Sequence, residues 1–157
     1  MTNVTLVDLP IPVSADDATF IADCLTDLFA PLAGRVAELR AYLDANIAPP
    51  HTSMLLIDVD GVHAGLATVV RFAMPRHLGH GYEVQELVVV PAFRNKGVAR
   101  RALELVAERL RADTSARKVV IRTNVDAAKR AYGSVWKPID LTSYQTMLNL
   151  LQPLALE

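Results

Sequence analysis

A single cysteine, Cys24, among 157 residues excludes an internal disulfide. Phe20, Ile21, Leu25 and Leu28 recur around it at helical spacing, which assigns it to the apolar stripe of a helix and not to a reactive site. No apolar run reaches the ~18 residues of a membrane span. The opening "MTNVTLVDLPIPVSADD" also lacks the basic and apolar regions of a secretory leader. The expected setting is the cytoplasm, with no membrane partner. Net charge is almost absent, at −1, yet it is unevenly spread. Residues 1 to 60 carry nine acids against Arg35 and Arg40, and the remainder carries eight acids against fourteen bases. This asymmetry predicts two electrostatic surfaces, one suited to a cation and one to an anion.

What is present is an apolar content of 52%, enough for one sizeable core, and the length predicts one domain over residues 1–157. "VTLVDL" alternates as a strand and is ended by Pro10 and Pro12. Ser14 and Asp17 resemble a capping box opening a helix that Pro31 interrupts. A second helix is expected to carry Leu32, Val36, Leu39, Leu43 and Ile47 on one side, until Pro49 and Pro50 stop it. The period then changes. "SMLLIDV" and "VHAGLATVVRFAM" flank Asp60-Gly61, a dipeptide suited to a tight hairpin, and "PRHLGHG" connects to "YEVQELVVV". A helix from Val98 to Arg111, a strand "KVVIRTNV", a short helix "DAAKRAYGSVW" and a final strand-like "TSYQTMLNLL" complete the order. The expected fold is α/β: a mixed, mostly antiparallel central sheet flanked by helices.

The junction "VVVPAFRNKGVARRAL" runs from an apolar strand into a helix start where Arg94, Lys96, Arg100 and Arg101 surround Gly97 and Ala99. A helix start offers unpaired N–H groups and the positive end of the helix dipole, and glycine removes the Cβ that would block close approach, so this loop suits a phosphate. It is not a Walker loop, because Val98 and Ala99 follow Gly97 where lysine and a hydroxyl are needed, and no dinucleotide Gly-x-Gly-x-x-Gly is present. Nucleic-acid binding is disfavoured: Glu104 and Glu108 dilute the charge, and no aromatic row accompanies it. His77 and His80 have loose metal-like spacing without a third ligand, so no metal is expected; a substrate-contacting place in a loop between strands suits them better.

The spacing Arg94-x-x-Gly97-x-Ala99, placed after "VQELVVVPAF" and followed by a strand and a tyrosine-bearing helix, resembles the GNAT superfamily of acyl-CoA-dependent N-acyltransferases, whose signature is Gln/Arg-x-x-Gly-x-Gly/Ala. The resemblance is specific over Tyr82 to Leu110 and follows the element order over nearly the whole chain. It implies acetyl-CoA as co-substrate and a primary amine, on a small molecule or a peptide, that attacks the thioester directly. Backbone N–H groups of Asn95, Lys96, Gly97, Val98, Ala99 and Arg100, with Arg94, would cradle the pyrophosphate. The strand segment Leu87, Val88, Val89 and Val90 would pair with the pantetheine arm and supply an oxyanion donor. Glu86 would take the amine's proton, with Glu83 as second candidate, and strict alternation puts those two on opposite faces unless a bulge intervenes. Tyr132 would protonate the leaving thiolate, and Asn124 ends a strand where members often carry asparagine. After Tyr132 the chain departs from the family pattern, with Trp136 and Lys137 where a glycine and an aromatic residue are usual. That departure leaves a second reading open, a non-catalytic acyl-CoA-binding module. A third is a basic interaction domain without CoA.

In the family the two early helices border the acceptor cleft, so Asp16, Asp17, Asp23 and Asp27 imply a cationic acceptor such as a polyamine, an aminoglycoside or a lysine side chain. The apolar tail "TMLNLLQPLALE" is expected as a surface for pairing with a second copy.

Overall fold

The computed structural model describes residues 2–26, 32–121 and 126–133. Its order is β1 (Val4–Asp8), α1 (Ala15–Thr26), α2 (Val36–Asn46), β2 (Thr52–Val59), β3 (Val62–Met74), β4 (Gly79–Val89), α3 (Val98–Leu110), β5 (Ala116–Ile121) and α4 (Asp126–Gly133). The strands form one sheet in the order β1-β2-β3-β4-β5; the first four are antiparallel and β5 runs parallel to β4. The mixed, mostly antiparallel sheet expected from the sequence is therefore the sheet that forms. The expected last strand and the apolar tail lie outside the described residues.

Local chemistry explains most boundaries. Asp60 and Gly61 both take positive φ (52° and 83°), the conformation a two-residue hairpin between β2 and β3 requires. Ser14 Oγ accepts the Asp17 N–H at 3.0 Å and donates to Asp17 Oδ2 at 2.7 Å, which caps α1. The second helix is shorter than its apolar spacing suggests: Leu32 sits in a turn, Gly34 takes φ +74°, and α2 starts only at Val36. Side chains of α2 then hold the loop before α1. Asp44 Oδ1 accepts the Val13 N–H at 2.6 Å and Arg40 Nε donates to the Val13 carbonyl at 2.6 Å, so both backbone polar groups of buried Val13 are held by α2.

Both faces of the sheet are covered, which is why β2 and β3 read as nearly continuous apolar runs. Met54, Leu56, Leu66 and Val88 pack with Ile21, Cys24 and Leu25 of α1 and Leu39 and Leu43 of α2. On the other face Leu55, Ala67, Val69, Tyr82 and Val84 pack with Leu103 and Val106 of α3. Gly65 lies so close to β4 that an added Cβ would strike the Val88 carbonyl oxygen, a backbone atom that cannot step aside. Gly65→Ala should therefore lower the urea-unfolding free energy by about 3 kcal/mol, the cost of forcing a strand apart in a packed core. An unchanged midpoint would show that β3 and β4 are free to separate there.

Candidate active site

Two irregularities of β4 build the site. First, β5 pairs only with His80 to Val84, so among the described residues Gln85 to Val89 have no partner on that side. Second, Thr68 pairs with Glu86 while Val69 pairs with Val84, leaving Gln85 as an extra, exposed residue in a β-bulge. The bulge changes the sidedness of the strand. Val70 pairs with Glu83 and Thr68 with Glu86, and residues two apart on β3 share a face, so Glu83 and Glu86 lie on the same face. The opposite-face arrangement that strict alternation implies does not form.

Thr68, 7% exposed, donates from Oγ1 to Glu86 Oε2 at 2.7 Å. The sequence reading missed it, although the one hydroxyl inside "GLATVV" was a signal. Glu86, Thr68 and Gln85 form part of the lining of a cavity of about 690 Å³ between the sheet and the pair α1 and α2. Glu83 is not among the lining residues.

The backbone beyond the bulge is oriented by its bonds. The Val90 N–H donates to the Ala64 carbonyl at 2.9 Å, so Val90, and by alternation Val88, turn their polar groups toward β3. Leu87 and Val89 turn theirs to the open side. There Arg94 Nε donates to the Val89 carbonyl at 2.7 Å. Of the four expected backbone partners of a pantetheine arm, the geometry thus leaves Leu87 and Val89.

At the end of β4 the chain turns through Asn95 (φ +59°) and Gly97 (φ +76°) into α3. No side chain caps α3, and a backbone bond from the Arg101 N–H to the Gly97 carbonyl at 3.0 Å opens the helix. The N–H groups of Val98, Ala99 and Arg100 precede the first full turn and point out of the helix start. A Cβ built on Gly97 meets no atom within 4 Å, so the space in front of these donors is open. Lys96 lies over the Phe93 ring at 5.7 Å; Arg100 pairs with Glu104 at 3.2 Å, and Arg101 with Glu104 and Glu108 at 3.2 and 3.1 Å. Open donors, two residues in the left-handed region and a strand edge that lacks a β5 partner among the described residues fit a pyrophosphate and its pantetheine arm.

Tyr132 is half-buried on the α3 face, packed against the cluster that contains Val84 and Leu103, and burial pushes its phenol pKa up. It therefore stays protonated at neutral pH. Glu86 and Tyr132 stand on opposite faces of the sheet. Asn124 lies outside the described residues, as do Trp136 and Lys137.

Other expected residues go elsewhere. His80 belongs to a network at the closed end of the β4–β5 pair: its Nδ1 lies 2.8 Å from Arg71 Nη2 and 2.9 Å from Ser115 Oγ. Asp113 there accepts from Ser115 and Tyr82, which hold its carboxyl well below the usual carboxylate range. Neither His77 nor His80 lines the cavity. Among the described residues no group of three or more His, Cys, Asp or Glu could hold a metal, and no helix is long and apolar enough to cross a membrane. Asp16 and Asp23 are exposed, and Asp17 serves the α1 cap; none lines the cavity, and Asp27 lies outside the described residues.

Asp17 and Asp58 flank His63 instead, with Asp58 Oδ1 2.5 Å from Nδ1 and Asp17 Oδ1 3.4 Å from Nε2. The hydrogen bond to Asp58 is the main cause that raises the His63 pKa above its ordinary 6.5, against a smaller lowering by burial. A raised folded-state pKa contributes stability that is fully present below the unfolded value and lost as pH rises through the folded one. The wild type should thus lose Tm relative to His63→Gln as pH rises from below 6.5 into the alkaline range. A constant difference between the two proteins over that range would refute the coupling.

The acetyltransferase (GNAT) family model matches residues 21–134, well over half of the chain, so the chain belongs to that family. Solved structures agree in fold. An integron cassette protein from Vibrio cholerae superposes with TM-score 0.72 at 15% identity, over 88% of this chain and 87% of that one. A ribosomal-protein-alanine N-acetyltransferase from Brucella melitensis gives 0.64 at 19% identity, over 90% and 96%. An aminoglycoside N-acetyltransferase in complex with CoA gives 0.63 at 14% identity, over 89% and 91%. No curated protein matches in sequence.

Proposed function

We infer that the protein transfers an acetyl group from acetyl-CoA to a primary amine by direct attack in a ternary complex. The observation that carries this reading is the junction of three features at β4: an edge that, among the described residues, has no β5 partner beyond Val84, an uncapped α3 start behind Gly97, and Glu86 in a cavity on the same strand. Acetyl-CoA supplies the activated acyl group. The α3 N–H groups hold its pyrophosphate, and the open-side groups of Leu87 and Val89 align the pantetheine arm along β4. Either N–H can donate to the carbonyl oxygen as it takes up negative charge. Glu86, held by Thr68, accepts the proton of the ammonium. The amine nitrogen bonds to the carbonyl carbon, the carbon–sulfur bond breaks, Tyr132 gives its proton to the departing thiolate, and the second proton lost by the nitrogen goes to solvent, from which Tyr132 is reprotonated.

A covalent relay finds no support in the chain's one thiol, because Cys24 is buried in the α1 core. The test is initial-velocity kinetics with acetyl-CoA and amine varied together. Intersecting lines uphold the ternary complex, and parallel lines with a burst of CoA would indicate an acyl-enzyme instead.

A further inference from the structure

The cavity beside Glu86 has a composition that names its occupant more narrowly than the family does, and this step rests on the proposed acetyl transfer. Its apolar walls include Leu25, Leu39, Leu43, Ile47, Met54 and Val70, with the neutral polar groups Asn46, Thr52 and Gln85 among them. Two carboxylates and one cation line it among the described residues. Glu38 is taken by Arg35 at 2.5 Å, each holding the other's charge, so that pair contributes no net charge. Glu86 is the remaining carboxylate, and it stands at the sheet end with Thr68. Among the described residues, acids of the first sixty are engaged elsewhere: Asp17 on the α1 cap, Asp58 on His63 and Asp44 on the Val13 N–H, with Asp16 and Asp23 in solvent.

We propose that the acceptor carries one ammonium on an apolar body, the ammonium directed to Glu86 and the body lying against α2. Among the described residues a second ammonium inside this cavity would find no unpaired carboxylate, only apolar side chains and the neutral Asn46, Thr52 and Gln85, so the loss of its water opposes binding. A cavity of about 690 Å³ suits a body the size of an aromatic amine or of roughly two to three apolar residues at a peptide N-terminus. Tyr42, on α2 and 62% exposed, lines the cavity away from the core and sets how apolar that wall is.

The experiment measures CoA release by the full chain at saturating acetyl-CoA with four acceptors: phenethylamine, an unblocked tripeptide of apolar residues, spermidine and an aminoglycoside. The better of the two apolar monoamines should exceed both polycations by at least about tenfold in kcat/KM. Whichever apolar arm wins tells whether the source is a free amine or a chain terminus. Tyr42→Glu, at an exposed position, should raise KM for the preferred monoamine and lower it for spermidine, closing the gap. Equal or better turnover of a polycation, or a Tyr42→Glu variant with unaltered preference, overturns the proposal. Turnover of no amine overturns it too. In that case a thermal shift with acetyl-CoA shows that CoA binding stands while the acceptor assignment has failed, and no shift shows that both have failed.

Discussion

Acetyl-CoA at about a hundred times its Kd will stabilise the wild type by about 2.7 kcal/mol, and Gly97→Asp will abolish that gain. In a chain of 157 residues the gain corresponds to roughly 5–10 °C in Tm. The variant acts in two ways that must be separated. Gly97 has φ +76°, so any side chain there adds backbone strain of about 1–2 kcal/mol. The added carboxylate also stands in the open space before the α3 N–H groups, where it repels a pyrophosphate. Gly34 provides the control: its φ is +74° and its Cβ position is equally open, but it lies in the turn before α2. Gly34→Asp should lower the ligand-free Tm about as much as Gly97→Asp and keep the full acetyl-CoA shift. Loss of the shift in both variants would assign the effect to strain. Retention in both would remove the α3 start from the binding site.

The loop was legible in the sequence because its chemistry is local. A glycine between cations, an apolar strand before it and an amphipathic helix after it are all read within about twenty residues, and the structure needed only to orient them. The Asp60-Gly61 hairpin and the Ser14-Asp17 cap were legible for the same reason: each is a contact between residues close in the chain. The β4 bulge was not. A bulge arises from the register of two strands, and Gln85 carries no residue-type signal that it is the extra one. The sequence left open whether a bulge intervenes, and its place at Gln85 is what sets Glu83 and Glu86 on one face. The charge asymmetry was misleading in a related way. Counting acids along the first sixty residues ignores direction, and the capping and His63 contacts of Asp17 use up a charge that the count assigned to the acceptor. Arg35, Glu38 and Tyr42 were missed as cavity residues because only the packing of α2 over the sheet brings them to Glu86.

The bulge gives a second large expectation its control. Glu86→Gln keeps the size of the side chain and a hydrogen-bonding partner for Thr68 but cannot accept the proton of the ammonium. With a positioned base worth about 10²–10⁴-fold, kcat should fall at least about a hundredfold near neutral pH, while the acetyl-CoA thermal shift stays intact. The deficit should shrink as pH approaches the amine's own pKa, about 10 for an alkylamine, because the acceptor then arrives already deprotonated. Glu83→Gln removes the same charge from the same face three positions away, outside the cavity lining, so a purely electrostatic role for the carboxylates would make the two variants similar. A loss confined to Glu86→Gln and recovered at high pH identifies proton removal at that position. A loss that persists at high pH would mean that Glu86 orients the acceptor through Thr68 and the cavity floor, and that water takes the proton.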